Sequence, residues 1–265
     1  MTSFKNPSIL ASVGISLLVG TPLANAQIEE IIVTAQKREQ SVLDVPITMD
    51  VISGEFLDRS NTTELDDLSR FLPNVVIQEQ AVSLPSFNIR GITDDTASVS
   101  ATPRISVYQD GFDISKKTVS SAALFDIERI EVLKGPQPTL FGVAAANGAI
   151  SIHSKRPSEE FELNGRASMN SEEGVDIQAM VNIPINDMFS FRLATLIREQ
   201  DGSVKNNACS TTSYNPSGKI TDHNGVSKNC RGGDLNGVSV QAFRASLQAE
   251  GESVSAILRL ASETN

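Results

Sequence analysis

The chain has 265 residues, with 22 lysines and arginines against 32 aspartates and glutamates, and its formal net charge of −10 disfavours nucleic acid as a partner. Apolar residues make up 40% and charged residues 20% of the sequence, which is typical of folded proteins and excludes a largely disordered chain. Two cysteines are too few for a small scaffold held together by disulfides.

The first 26 residues have the order of a secretory signal peptide. Lys5 is their only charged residue, an apolar run follows at 9–19, and the small residues at 24–26 suit cleavage after Ala26. The apolar run is shorter than the ~20 residues that a helix needs to cross a bilayer. We therefore expect the chain to be exported and this segment to be removed.

A short β-prone run follows the signal, at 31–34, with charged residues on both sides. Such a segment can extend and pair with a strand of another protein. It can equally be the first strand of the domain that follows. Composition alone leaves both interpretations open.

Residues 46–157 have the pattern of a mixed α and β domain. Leucines and acidic residues at helical spacing predict a helix over 53–72, ending before Pro73. Strands are predicted at 74–78, 86–92, 104–108, 127–133 and 149–154. Glycine, proline and small residues at 134–148 predict an irregular turn between the last two strands.

After residue 157 apolar and polar residues alternate, which is the period of a strand with one apolar face. Five such segments are predicted, at 161–170, 175–183, 189–198, 243–249 and 254–261. A soluble sandwich and an outer-membrane barrel share this pattern. The connections favour a barrel, because those near 171–174, 184–187 and 250–253 are tight whereas 199–236 is long and polar.

Taken together, these features resemble the N-terminal part of a TonB-dependent outer-membrane receptor. The segment that resembles its TonB box consists of Glu29, Glu30, Ile31, Ile32, Val33, Thr34 and Ala35. Two further runs, 87–92 and 126–142, resemble motifs of the plug domain and contain Arg90, Gly91, Arg129, Gly135, Pro136, Gln137 and Gly142. The second run is the more specific of the two.

The resemblance implies a fold in four parts. These are a signal peptide at 1–26, the TonB box and linker at 27–45, an α+β plug domain at 46–157, and antiparallel strands of an outer-membrane β-barrel at 158–265. Plugged transporters have 22 strands, and five strands cannot close a barrel. We therefore expect a truncated chain with an incomplete barrel; the alternative is a soluble periplasmic plug module that binds TonB without transporting.

The resemblance implies an energised transporter and not an enzyme, with no catalytic residues, no cofactor and no resident metal. Its partners would be TonB with the ExbB/ExbD energy system, outer-membrane lipid, and a scarce ligand, most often a ferric siderophore. The sequence contains no GxSxG, phosphate-loop, CxxC or HExxH signature.

Two plug arginines leave alternatives open. Arg90 and Arg129 could pair with carboxylates on the barrel wall, because a buried cation needs a partner. They could instead bind Glu128, Glu131 or backbone carbonyls within the plug, which is the interpretation we favour. Gly91, Gly135 and Gly142 are interpreted as turn glycines without a direct role in ligand binding.

The cysteines and histidines complete the candidates. Cys209 and Cys230 lie in the long polar segment, and in an oxidising compartment we expect them to form a disulfide. The alternative is a reactive or metal-binding pair, which His223 alone supports weakly. His153 follows the 149–152 part of a predicted strand and is expected to be structural, whereas His223 could touch a ligand.

Overall fold

The computed structural model describes residues 32–34, 40–81, 84–94, 102–116, 123–142, 145–169, 174–202, 219–221, 227–229, 237–251 and 254–264. The predicted signal peptide, box residues Glu29, Glu30, Ile31 and Ala35, and Cys209, His223 and Cys230 lie outside these residues. Within the described part of the chain, no helix is long and apolar enough to cross a membrane.

The described strands and helices follow one another in this order. The strands are β1 (Ile32–Val33), β2 (Gln40–Ser41), β3 (Met49–Ser53), β4 (Val75–Ala81), β5 (Leu84–Ile89), β6 (Ile92–Asp94), β7 (Ile105–Gln109), β8 (Phe112–Asp113), β9 (Ile127–Lys134), β10 (Gly148–Ser154), β11 (Glu162–Met169), β12 (Val175–Asn186), β13 (Phe189–Gln200), β14 (Lys219–Thr221), β15 (Ser227–Asn229), β16 (Val238–Glu250) and β17 (Ser255–Thr264). The α-helices are α1 (Gly54–Ser60) and α2 (Pro138–Phe141), and 3-10 helices span Val42–Asp44 and Asp66–Arg70.

The plug region, which here means the described residues between 40 and 157, is built on a five-stranded sheet in the order β3-β9-β10-β7-β8. Only the β10–β7 pair is parallel. The central strands are buried on both faces, because Ile130 and Val132 belong to one apolar cluster while Leu133 and Ala149 belong to another. β9 nevertheless has four charged residues, at Glu128, Arg129, Glu131 and Lys134.

A smaller antiparallel sheet, β4-β5-β6, completes the plug region. Ser69 in the second 3-10 helix joins it to that helix, because its hydroxyl donates to Ile77 O at 3.1 Å and accepts from Ile77 N at 2.7 Å. The turn between β5 and β6 consists of Arg90 and Gly91, both with positive φ, of 55° and 81°. Two such residues form the tight turn that matches the twist of a hairpin.

The predicted single helix over 53–72 is wrong. The structure has α1 up to Ser60, then Asn61 in the left-handed conformation with φ 53°, and only later a 3-10 helix. Asparagine tolerates this conformation at a helix end. The N–H of Thr62 then bonds to Leu57 O at 3.0 Å and ends the helix, and β-branched Thr62 and Thr63 do not favour its resumption.

The C-terminal strands form the wall sheet, a five-stranded antiparallel sheet in the order β11-β12-β13-β16-β17. Its polar face is buried, with Arg192 3% and Arg244 4% exposed, whereas on its apolar face Phe243 is 43% and Leu258 71% exposed. A sandwich would bury the apolar face, so the sandwich alternative is excluded. The arrangement matches a barrel wall, whose apolar face meets lipid.

Four of the five wall strands are longer than the alternation indicates, whereas β11 is shorter. β12 passes through Pro184 and ends at Asn186, with a register irregularity between them. Proline fits an irregularity of this kind because it cannot donate to the ladder. The turn consists of residues 187–188 and so lies later than the predicted 184–187. Asn186 Oδ1 accepts there from the N–H groups of Met188 and Phe189 at 2.9 and 2.8 Å. The described structure also has a short hairpin, β14–β15, in the segment predicted as a loop.

Candidate functional site

The box segment, Ile32–Thr34, is the described part of the candidate TonB box, and it lies against the plug region. Ile32 pairs with Ser41 and Val33 with Gln40 in a two-residue antiparallel ladder. The Val33 side chain is completely buried, in a cluster that includes Leu133, Phe141 and Ala149. The segment therefore behaves as a short first strand of its own chain in this structure.

Thr34 extends this contact into a polar group that we call the Glu131 cluster: Thr34, Arg129, Glu131 and His153. Thr34 donates to Glu131 Oε1 from its N–H at 2.9 Å and from its hydroxyl at 3.3 Å. Arg129 donates from Nε to the same oxygen at 2.8 Å and from Nη2 to Thr34 Oγ1 at 3.2 Å. His153 Nε2 lies 3.3 Å from Thr34 Oγ1.

Strand register explains why these side chains meet. Arg129 and Glu131 are two residues apart on β9 and share one face, and β10 places His153 opposite Arg129 and Ser151 opposite Glu131. Ser151 Oγ lies 3.1 Å from His153 Nε2. Burial, and then the charge of Arg129, lowers the pKa of His153, so the imidazole is neutral at neutral pH.

Of the two alternatives for Arg129, the structure has the one within the plug, because Arg129 also binds the Glu128 carboxylate. Arg90 is exposed, and its guanidinium lies beside Gly135, 3.4 Å from where a Cβ on that glycine would be. The described residues contain no wall carboxylate in contact with either arginine.

The second half of the specific plug run, from Gly135 to Gly142, forms a loop over the box segment. Gly135 and Gly142 have φ of 114° and 76°, as expected of turn glycines. The loop is closed by the N–H of Gln137, which donates to Ala145 O at 2.8 Å. Phe141, at the end of α2, packs in the same cluster as Val33. Pro136 lies between β9 and α2, in the turn that directs the chain over the box.

The second candidate feature is the wall junction, where the 123–126 segment of the plug meets the polar face of the wall sheet. Arg192 on β13 donates two hydrogen bonds to the Asp126 carboxylate, from Nε at 2.9 Å and from Nη2 at 2.7 Å. Arg192 Nη1 donates to Glu162 at 3.0 Å. The Arg192 and Asp126 side chains are only 3% and 7% exposed, so this ion pair is buried.

Neighbouring residues of the same segment contact two more wall strands. Arg244 on β16 donates to Phe125 O at 3.0 Å, and its guanidinium lies 4.4 Å from the centre of the Phe125 ring. The N–H of Ala123 donates to Glu263 on β17 at 3.4 Å. The short segment 123–126 is thus bound to three strands of the wall sheet.

Two further wall arginines bind plug carboxylates away from this segment. Arg198 donates to Glu64 at 2.7 Å, and Arg259 lies 2.8 Å from Asp110. In these pairs the cation is on the wall and the anion on the plug, the reverse of the pairing considered for Arg90 and Arg129. The sequence signal that could have found them is arginine at polar positions of the alternating strands.

A cavity of about 270 Å³ lies between α1 and strands β11 to β13. Its charged side chains are engaged with neighbours: Arg59 lies 3.6 Å from Glu55, and Lys155 3.8 Å from Asp58. Arg166 donates to Asp58 O at 2.9 Å. In the described part of the chain, no group of three or more His, Cys, Asp or Glu side chains is placed to hold a metal ion.

Comparison with known proteins agrees with this geometry. A sequence-family model described as the TonB-dependent receptor plug domain matches residues 41–149. The chain is 29% identical over 195 residues to the pesticin receptor of Yersinia pestis, a match that covers 70% of this chain and 28% of that receptor.

Two solved structures share the fold. The ferric yersiniabactin uptake receptor FyuA of Yersinia pestis has a TM-score of 0.66 at 22% identity, covering 82% of this chain and 31% of that one. The pyoverdine outer membrane receptor FpvA of Pseudomonas aeruginosa PAO1 has a TM-score of 0.67 at 12% identity, covering 88% of this chain and 30% of that one. The chain thus spans less than a third of the length of these proteins.

Proposed function

This chain corresponds to the N-terminal part of a TonB-dependent receptor, and from that premise we propose that it acts in energised uptake of a scarce ligand across the outer membrane. The observation that carries the proposal is the seating of the plug region on the buried polar face of the wall sheet, with the apolar face exposed. A transporter needs this arrangement, since the plug blocks the lumen while the other face meets lipid.

The parts have separate roles in this proposal. The signal at 1–26 directs export, the box at Glu29–Ala35 pairs with TonB, the plug at 46–157 closes the pore, and strands from 158 onwards begin the barrel wall. TonB, energised by ExbB and ExbD, supplies the work. No catalytic residue or cofactor has a role, and a disulfide between Cys209 and Cys230 would restrain an external loop.

For the ligand we propose a ferric siderophore. The support is that FyuA and FpvA, which share the fold, take up ferric yersiniabactin and bind pyoverdine respectively. The alternative of a plug module that acts without a barrel is not favoured, because the matched structures cover the wall sheet as well as the plug region.

The first test measures binding of the box to the C-terminal domain of TonB. A peptide spanning 27–36 is titrated by calorimetry, and we expect binding by strand addition through backbone hydrogen bonds. Ile32→Pro removes a donor from the middle of the strand and abolishes binding, whereas Gln27→Pro, outside the box, leaves it unchanged. The proposal fails if the unmodified peptide does not bind while an established box peptide does.

The second test addresses the ligand. The native gene is given the Ile32→Pro change, and growth under iron limitation is measured with catecholate, hydroxamate and carboxylate siderophores as the iron source. We expect growth on at least one of them to be lost in the variant and retained with Gln36→Pro, which lies outside the box and away from the predicted cleavage site. Equal growth of both strains on every siderophore would reject the ferric-siderophore assignment while leaving the TonB assignment to the peptide test.

A further inference from the structure

The groups that hold the box segment on the plug are the same groups that a strand partner would need. We infer that the Glu131 cluster is a latch, in which Glu131 is the positioning residue that sets the fraction of time the box segment is free to pair. The identity of the partner as TonB rests on the proposed function; the latch itself is a property of this chain alone.

Glu131 is suited to this role because its carboxylate is fully buried and depends on the box for donors. Three N–H and O–H groups converge on Oε1, and two of them come from Thr34. Among the described residues, Oε2 has no hydrogen-bond partner. A buried carboxylate that loses donors is costly, so departure of Thr34 is opposed by Glu131 and by Arg129, which donates to both.

Docking and pairing with another strand exclude each other. Strand addition requires free backbone N–H and C=O groups and side chains that can reach the partner. In the docked segment the N–H of Thr34 is donated to Glu131, and the Val33 side chain is completely buried. The box is therefore a two-state element, and its apparent affinity for a partner is reduced by the fraction of molecules in which it is free.

Apart from the latch, the segment is held by the buried Val33 side chain and a short ladder. Its ladder has only two residue pairs, and Ile32 is 51% exposed. Short elements with few buried contacts open locally at low free-energy cost. Because the remaining contact consists of one buried side chain and this ladder, the hydrogen bonds of Thr34 make up a large share of what keeps the box docked.

The latch is tested by cysteine labelling, without TonB. Val33→Cys is introduced into the full chain together with Cys209→Ser and Cys230→Ser, so that maleimide reacts only at position 33. Because this position is buried when docked, the labelling rate reports the undocked fraction. We expect Glu131→Gln to raise the rate about tenfold and Thr34→Val, which removes only the hydroxyl, to raise it about threefold to tenfold.

Matched variants separate a latch from general loosening of the plug. Thr34→Ser keeps the hydroxyl and is expected to label at the parent rate. Thr93→Val removes a hydroxyl that accepts from Asn88 Nδ2 at 2.8 Å on the exposed side of the β5–β6 hairpin, and it too should leave the rate unchanged.

The inference is overturned if Thr34→Val and Thr34→Ser label at equal rates, or if Glu131→Gln alone accelerates labelling. It is also overturned if the parent already reacts as fast as a free peptide carrying the same cysteine. None of these outcomes involves TonB, so the latch can fail while the box peptide still binds TonB, and the box peptide can fail while the latch holds.

Discussion

The plug region is held at two places, and the two contacts are built differently. At the wall junction, the short segment 123–126 contacts three strands, and the Arg192–Asp126 pair is two-pronged and buried. At the box segment, a two-pair ladder and one carboxylate oxygen make up most of the polar contact. We therefore expect the wall junction to be the more stable contact and the box segment to be the one that is released.

Magnitudes support this difference. Removing one partner of a buried ion pair costs about 3–5 kcal/mol, because the other charge stays buried without compensation. This pair is only one of several contacts at the junction, which also include those of Arg244 and Glu263. The box segment has only the burial of one valine, worth about 1.5 kcal/mol, and hydrogen bonds of ~1 kcal/mol each. We therefore expect the box segment to leave the plug under conditions that keep the wall junction intact.

The largest expected effect breaks the wall junction. Asp126→Asn leaves the buried Arg192 guanidinium with Glu162 as its remaining carboxylate, and we expect the free energy of unfolding to fall by about 3 kcal/mol. It is measured by denaturant titration of the protein in detergent micelles. The control is Glu55→Gln, which breaks an exposed ion pair with Arg59 and should change stability by less than ~0.5 kcal/mol. A change below ~1 kcal/mol in Asp126→Asn would show that the junction is not a strong anchor.

The two contacts also differ in how far the sequence predicts them. The wall strands are predictable because period-2 alternation is local, and it places Arg192, Arg198 and Arg244 on the polar face. Their plug partners are not, since Asp126 is 66 residues from Arg192 and Glu64 is 134 residues from Arg198. Nothing local to either residue specifies such a pair.

The box illustrates a different limit. Its resemblance to a TonB box predicts an external partner, but the docked state depends on a two-residue ladder to Gln40–Ser41, which is too short to have a periodic pattern.

The overpredicted helix at 53–72 has a third cause. A left-handed residue at Asn61 interrupts an otherwise helical spacing of leucines, and local conformation there outweighs the pattern.

A smaller expected effect concerns the pH dependence of stability at the box end of the plug. His153 has a lowered pKa, so the folded state favours its neutral form, and the resulting stability is fully present above about pH 6.5. Below that pH the unfolded chain binds a proton at His153 that the folded chain does not yet bind. The charged groups around His153 are Arg129, Glu131, Asp110 and Glu128.

We therefore expect the free energy of unfolding to fall between about pH 6.5 and 5.5 by at most ~1.4 kcal/mol on account of this residue. His153→Gln cannot titrate and should flatten that part of the profile, which denaturant titrations at the two pH values measure. An identical slope in parent and variant would mean that His153 does not make the box end of the plug acid-sensitive.

The smallest expected effect concerns the loop over the box. Tyr108 donates its hydroxyl to Phe141 O at 3.1 Å, and Ser106 Oγ donates to the same oxygen at 3.1 Å. Tyr108→Phe alone leaves that carbonyl one donor. We therefore expect the free energy of unfolding to fall by only ~0.5–1 kcal/mol and maleimide labelling at position 33 of the Val33→Cys protein to rise slightly.

Adding Ser106→Ala leaves the Phe141 carbonyl without either donor, and the double variant should lose more stability than the sum of the single ones. Because Phe141 packs in the cluster that encloses Val33, labelling should follow the same order as the stabilities. If the two substitutions are additive in unfolding and silent in labelling, the loop does not control the box, and the Glu131 cluster and the Ile32–Val33 ladder hold it without help.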